Sequence, residues 1–395
     1  PVRGCHHCFS QPQRIQRLQG ILEDGGQIIN PHDVNIVREV MNIASIDDVK
    51  FNGNDSLIET VGPELDEKFL TISNSKALNK DLIKKHADLK IVYTPIHGTG
   101  VKMVPAALKR LGFTHIYNVP EQDVVSGDFP TVKSPNPEEA AALDMALKKA
   151  NEVGADLVMA TDPDSDRVGI AVRNTKGELV LLNGNQTNVL LTYYLLTQWK
   201  EKGMLKGKEF MAKTIVTTEL IADIYKHFNL QYFDVLTGFK FIAEMIRLHE
   251  KDLTFIGGGE ESYGFMVGDF VRDKDAITAC ALIAETAAWA KEQGKSMFEL
   301  LLDIYQEYSF YKESLLSIYR QGKEGAEEIA AMMQDFRSRP PKMIDNSPVI
   351  EIRDYKVQMT VDTRTGVTSS IKLPKSNVLQ FMTENGTKVS VRPSG

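Results

Sequence analysis

The chain has 395 residues, 42% of them hydrophobic and 25% charged, a length that suggests two to four domains and a composition ordinary for a globular protein. No apolar run approaches the roughly 20 residues a membrane helix needs, so no membrane partner is expected, and no basic start followed by an apolar stretch predicts a secretory signal. The net charge of −7 and the three cysteines argue against a nucleic-acid partner and against a disulfide scaffold, and they predict a cytoplasmic location.

In chain order, the first feature is Gly4-Cys5-His6-His7-Cys8, a Cys-x-x-Cys that runs into a Gln-rich tail ending at Gly20. Zinc would need a second ligand pair at finger distance, and a redox pair would need a βαβ context; neither follows. From residue 88 strand-like and helix-like segments alternate. Leu89 to Tyr93 reads as a strand, Thr94 to Gly100 as a Gly-rich turn, Val101 to Leu111 as a helix and His115 to Val119 as a strand. Pro137 to Asn151 reads as an amphipathic helix capped by Asn136 or Ser134. Leu157 to Thr161 is a strand entering TDPDSDR, with another at Val168 to Val172. This rhythm predicts an α/β domain with a mostly parallel sheet and ligands at the carboxyl ends of its strands.

The pattern then repeats: strands at Lys213 to Val216, Gln231 to Val235 and Thr254 to Ile256, helices at Glu219 to Phe228, Phe239 to Glu250 and Asp275 to Gln293. After Tyr311 it changes to a helix over Gly325 to Arg337, a Pro340-Pro341 break, and strand-like alternation at 349–373 and 378–391. That last portion predicts a smaller α+β domain.

Five motifs carry chemistry. Asp162, Asp164 and Asp166 alternate on a loop leaving a strand, where their oxygens can turn toward one hard cation such as Mg²⁺, with Arg167 offsetting their charge; the plain alternative is a solvated acidic turn. In Gly257-Gly258-Gly259-Glu260-Glu261-Ser262-Tyr263-Gly264, Glu260 and Ser262 can hydrogen-bond sugar hydroxyls, or the segment is a Gly-rich surface turn. Arg272-Asp273-Lys274-Asp275 just beyond suits a surface or a phosphate-facing loop. Arg392 and Ser394, in Arg-Pro-Ser-Gly, offer a phosphate cradle. Thr237-Gly238-Phe239-Lys240 opens a helix, and Lys240 could contact phosphate, move a proton or be solvated. His97, in a strand-to-helix turn, could face an anion or be a structural hydrogen bonder.

In this order the motifs resemble the α-D-phosphohexomutases, the family of phosphoglucomutase and phosphomannomutase, over nearly everything from Glu23 to Gly395. GEESYG together with TGFKFI is closest to the bacterial α-phosphoglucomutase branch. The resemblance implies four domains around one cleft, the first three being related α/β units. It implies an active-site phosphoserine that phosphorylates a hexose phosphate, a 1,6-bisphosphate intermediate that turns around, and return of the other phosphate. Asp162, Asp164 and Asp166 match the ligands of one Mg²⁺, and Arg167 the arginine beside the transferring group. Glu260 and Ser262 match the sugar readers, with Thr237 and Gly238 beside the substrate. Arg392 and Ser394 match the site for the idle phosphate, while Lys240, then His97, are the proton-transfer candidates. Glucose 1,6-bisphosphate is the implied intermediate and activator, and the implied enzyme is a monomer or weak dimer. Phosphomannomutase or dual specificity is the alternative within the family; a non-catalytic sugar-phosphate or Mg²⁺-binding protein is the alternative outside it.

The family's serine loop, T-A-S-H-N-P, is not found in the chain. Codons exist for Gly4 to Leu22 that, read one base later, spell GAITASHNPKEYNGYKVY. Residues 1–22 are therefore expected to be an out-of-frame segment, 23–75 a remnant of the first α/β domain, 76–187 the second, 188–308 the third, and 309–395 a C-terminal domain cut in its phosphate loop. Without the serine, little or no mutase activity is expected of the chain as it stands.

Overall fold

The protein's computed structural model describes residues 3–7 and 17–393, with one unit ending at Tyr311 and a second beginning at Lys312. The first unit starts with an antiparallel strand pair, β1 (Arg3–His7) and β2 (Arg17–Ile21). Cys5 lies in β1, and Cys8 is outside the described residues. Helix α1 (His32–Met41) buries none of its residues and leaves Val34, Val37, Val40 and Met41 exposed. Helix α2 (Pro63–Ser75) is different: Leu70, Ser73 and Asn74 are buried, and Asn74 donates to the Ala107 carbonyl at 3.1 Å. The short α3 (Lys80–Lys85) follows.

Next come β3 (Ile91–Thr94), α4 (Gly100–Leu111), β4 (Ile116–Asn118), α5 (Ala140–Val153), β5 (Leu157–Thr161), β6 (Val168–Arg173) and β7 (Leu179–Leu182). They form a sheet ordered β4-β3-β5-β6-β7. Only β4-β3-β5 is parallel; β5, β6 and β7 run antiparallel, which corrects the expectation of a mostly parallel sheet. The reason is loop length: the turns after β5 and β6 are too short for a crossover, which takes a dozen or more residues. Helix α5 starts later than expected because Asn136 spends its side chain on the Glu138 amide at 3.1 Å, and Glu139 becomes the cap position.

The second sheet is built from β8 (Glu209–Thr214), β9 (Gln231–Val235), β10 (Thr254–Gly259) and β11 (Phe265–Val267) in the order β11-β10-β8-β9. Its helices are α6 (Gly184–Glu201), α7 (Glu219–His227), α8 (Phe239–His249), α9 (Ala276–Glu292) and α10 (Met297–Glu307). Gly257, Gly258 and Gly259 belong to β10 and not to a turn, another correction. A Cβ on Gly258 would collide with the Ala212 carbonyl oxygen of the neighbouring β8, so these glycines serve close strand approach.

One apolar core runs through both sheets: Tyr93, Met159 and Ile170 of the first and Met211 and Ile256 of the second share a cluster with Leu191 of α6 and Ile283 of α9. Helix α9 is buried almost all round, and its alanines let neighbours approach closely. Its N-terminus is capped by Asp275, which accepts from the amides of Ile277 at 2.9 Å and Thr278 at 3.2 Å.

The second unit holds α11 (Gly322–Ser338) and β12 (Met343–Ile344), β13 (Ser347–Asp354), β14 (Met359–Asp362), β15 (Thr368–Ser370), β16 (Leu379–Thr383) and β17 (Lys388–Val391). The sheet is antiparallel, ordered β15-β14-β13-β16-β17, and Met333 of α11 packs with Val349, Leu379 and Phe381. This is the α+β arrangement expected. Among the described residues no helix is long and apolar enough to cross a membrane.

Gly258→Ala should lower stability by about 1–3 kcal/mol, the usual range for forcing extra volume into a packed site; an unchanged urea midpoint would show that β8 and β10 have slack between them.

Candidate active site

Strand β5 is buried along its whole length, and the first residue beyond it, Asp162, is fully buried. A buried carboxylate must be saturated with donors. Asp162 Oδ1 accepts the amides of Asp166 at 3.1 Å and Arg167 at 2.9 Å, and Oδ2 accepts Arg167 Nε at 2.7 Å. These bonds fold residues 162–167 into a tight turn, with Ser165 in the left-handed region at φ +57°. The loop is held from two sides. The Thr99 amide donates to the Pro163 carbonyl at 2.8 Å, and the first amide of α9, Ala276, donates to the Ser165 carbonyl at 3.1 Å.

One oxygen each from Asp162, Asp164 and Asp166 lies within 4.8 Å of the others. Two oxygens on one hard divalent ion at roughly 2.1–2.5 Å sit no more than about 4–5 Å apart, so the donor set fits such an ion. Arg167 offsets the charge from one side, at 3.7 Å from Asp166 and 3.5 Å from Glu138. Lys274 does so from the other, at 2.9 Å from Asp166. Burial, then the Asp162 charge, pushes the Asp166 carboxyl up to about 6 against the pull of Lys274 and Arg167. Burial also raises Asp162 and Glu138, with Arg167 pulling both back.

The sugar-loop motif meets this loop. Val168 donates its amide to the Tyr263 carbonyl at 3.1 Å, and Arg167 bridges to Gly264. Glu260 is buried, and its Oε1 accepts the Gly238 amide at 2.5 Å, so the sugar loop and the Thr237-Gly238 turn are joined. Gly238, at φ +121°, gives that turn a backbone that side-chain-bearing residues rarely adopt. The Thr237 hydroxyl oxygen is buried with no partner among the described residues. Ser262 is half-buried on the same loop. Thus the acidic triad, Arg167, Glu260, Ser262, Thr237 and Gly238 come together.

The remaining expected residues are His97, Lys240, Arg392 and Ser394. His97 is buried, and both ring nitrogens are engaged, Nδ1 with the Val124 carbonyl at 2.7 Å and Nε2 with Thr131 Oγ1 at 2.8 Å. These bonds tie His97 to the loop after β4, and its own turn grips Pro163 through the Thr99 amide. Lys240, on the first turn of α8, lies over the Phe241 ring at 5.2 Å and 4.0 Å from Asp33. Arg392 is an exposed residue of the second unit, and Ser394 lies outside the described residues.

Sequence reasoning missed the supports. Glu261 accepts the hydroxyls of Thr214 at 3.0 Å and Thr217 at 3.3 Å, and Asn188 donates to the Glu260 carbonyl at 2.5 Å. Glu138 braces Arg167 and Lys274 pairs with Asp166 at the acidic loop. Only Lys274 had a signal, the mixed-charge Arg272-to-Asp275 run.

Two family models match the chain: the phosphoglucomutase/phosphomannomutase alpha/beta/alpha domain II at residues 69–177 and domain III at 183–308, together more than half of it. A Staphylococcus aureus (strain MRSA252) phosphoglucomutase is 40% identical over 309 residues, covering 78% of this chain and 55% of the relative. The chain thus spans about half the length of the curated relatives it matches. Among solved structures, the open form of the Paramecium exocytosis-sensitive phosphoprotein pp63/parafusin is similar at a TM-score of 0.64 and 15% identity, covering 99% of this chain and 69% of that one. An Aspergillus fumigatus N-acetylphosphoglucosamine mutase, in complex with GlcNAc-6P and magnesium, is similar at 0.52 and 12%, covering 86% and 81%.

The folded chain keeps the Asp166 proton up to about 6, whereas an unfolded aspartate loses it near about 3.9, so the metal-free fold loses stability as pH rises through that window. A divalent ion must displace that proton. Mn²⁺ affinity, read by calorimetric titration, should therefore be flat above pH 7 and fall about tenfold per pH unit below about 6; a pH-independent affinity would place the ion elsewhere.

Proposed function

This chain belongs to the phosphoglucomutase/phosphomannomutase family, and from that premise we propose that its site serves the interconversion of glucose 1-phosphate and glucose 6-phosphate through a phosphoserine and a 1,6-bisphosphate. The observation that carries the reading is the union of three loops in one unit: the acidic loop bonded to the sugar loop, and the sugar loop to the Thr237-Gly238 turn through Glu260. Asp162, Asp164 and Asp166 would hold Mg²⁺, which supplies charge neutralisation at a phosphoryl group in flight. Arg167, braced by Asp162 and Glu138, directs a fixed positive charge at the same group. Glu260 and Ser262 orient the sugar by its hydroxyls, Lys240 moves the proton of the attacking hydroxyl, and Arg392 and Ser394 take the idle phosphate. The magnesium bound with GlcNAc-6P in the Aspergillus relative supports the metal and substrate class.

We assign Gly4 to Leu22 to the out-of-frame counterpart of the serine loop, with residues 23–75, 76–187, 188–308 and 309–395 as four successive domain portions and a cytoplasmic setting for the whole. On this reading the chain as written binds Mg²⁺ and hexose phosphate but does not turn the sugar over. Sequencing the coding DNA across codons 1–25 should reveal a one-base slip. With the frame repaired in the full-length gene, glucose 1-phosphate should be converted faster than mannose 1-phosphate, and Asp164→Asn should lower that rate by at least about 100-fold, since removing one electrostatic element of such a site costs on that scale. Turnover by the unrepaired chain, or an open frame with no slip, defeats the serine-loop assignment.

A further inference from the structure

Lys274 sits where the loops of the site converge, yet the proposed reaction gives it no step. Its ammonium lies 2.9 Å from Asp166 and 3.2 Å from Asp273, and 5.3 Å from the centre of the Phe239 ring, at the start of α8. Its stem is pressed against Gly264 at the end of the sugar loop so closely that a Cβ there would meet Lys274 Cδ at 2.5 Å. Little of the side chain reaches solvent, 18%. A lysine so enclosed is stabilised only by its partners, because burial alone disfavours its charge. Asp273 adjoins it in sequence, and across the fold its ammonium pairs with Asp166 and also feels the charge of the buried Glu260.

We infer that Lys274 is a resident counter-cation that stands in for the divalent ion at the acidic triad, a positioning residue that keeps the loop formed when metal is absent and keeps bound metal exchangeable. The inference rests on the metal reading given above. Its physical basis is a thermodynamic cycle. Three carboxylates within 4.8 Å of one another repel, and in the metal-free protein Lys274 and Arg167 both place a positive charge beside Asp166. A divalent ion brings its own charge, after which Lys274 has less repulsion to relieve and itself repels the ion. Lys274 therefore stabilises the metal-free state more than the metal-bound one, and by linkage its removal must tighten metal binding by that difference. Arg167 cannot be relieved in the same way, since it is bonded through Nε to the buried Asp162.

The test uses the whole chain and Mn²⁺ alone as probe, with Lys274→Met, Lys274→Gln and Lys274→Arg. Lys274→Met and Lys274→Gln should melt several degrees lower than wild type without metal. They should bind Mn²⁺ about tenfold more tightly, the low end of what changes around a metal's ligands produce, and show a larger Mn²⁺-induced rise in Tm. Lys274→Arg, which keeps the charge, should behave as wild type in all three. Gln retains a hydrogen bond without the charge, so a wild-type affinity in Lys274→Gln overturns the inference, as does weaker or unchanged Mn²⁺ binding in Lys274→Met. If Lys274→Met is recovered folded only with Mn²⁺ present, the inference stands. Failure of the wild-type chain itself to bind Mn²⁺ overturns the metal reading and this inference with it, whereas normal wild-type binding with unchanged variants overturns this inference alone.

Discussion

Repulsion among Asp162, Asp164 and Asp166 is the constraint around which the first unit is arranged. Carboxylate oxygens this close, one of them on a fully buried side chain, cannot be left to water. Each surrounding feature answers that need. Two backbone amides and a guanidinium saturate Asp162, while Glu138 in turn braces the guanidinium. Lys274 reaches Asp166 from the other α/β module of the unit, so the charge balance of the acidic loop is completed by the sequence that follows the Gly257-to-Gly264 segment. A consequence is that the loops are mutually dependent: the residues that relieve one also fix its neighbour.

The scaffold makes that dependence possible. Both sheets present loops from strand ends, β5 and β10, and α9 runs between them with its N-terminus at the meeting point. The Ala276 amide bonds to the acidic loop, Asp275 caps the helix, and Lys274 precedes the cap. Alanine supplies the closeness: with bulkier residues along α9 the two sheets would stand further apart, and Lys274 would not span from one loop to the other.

Much of this was legible in the sequence where the signal is local. The strand at Leu157 to Thr161 and the one at Gln231 to Val235 lie where short apolar stretches between turn residues put them, and the acidic triad announces itself by spacing. The glycines 257–259 misled because glycine signals a turn locally, while in the fold their reason is the Ala212 carbonyl on another strand, which no local pattern encodes. His97 was ambiguous for the same cause: its partners, Val124 and Thr131, belong to a loop of irregular backbone. Helix α6 has apolar residues on every side, which removes the periodicity that would mark it. The supports Asn188, Thr214 and Glu138 act through tertiary contacts alone.

The shared core of the two sheets also decides where this chain can bend. Leu191 and Ile283 belong to one apolar cluster with residues from both sheets. The family models divide the second and third α/β modules between residues 177 and 183, yet apolar residues from both sides of that boundary share the cluster. A cut at that family boundary would expose apolar faces of both fragments to solvent. Packing of this kind ties the fate of one sheet to that of the other, because neither can leave without uncovering the apolar residues they share.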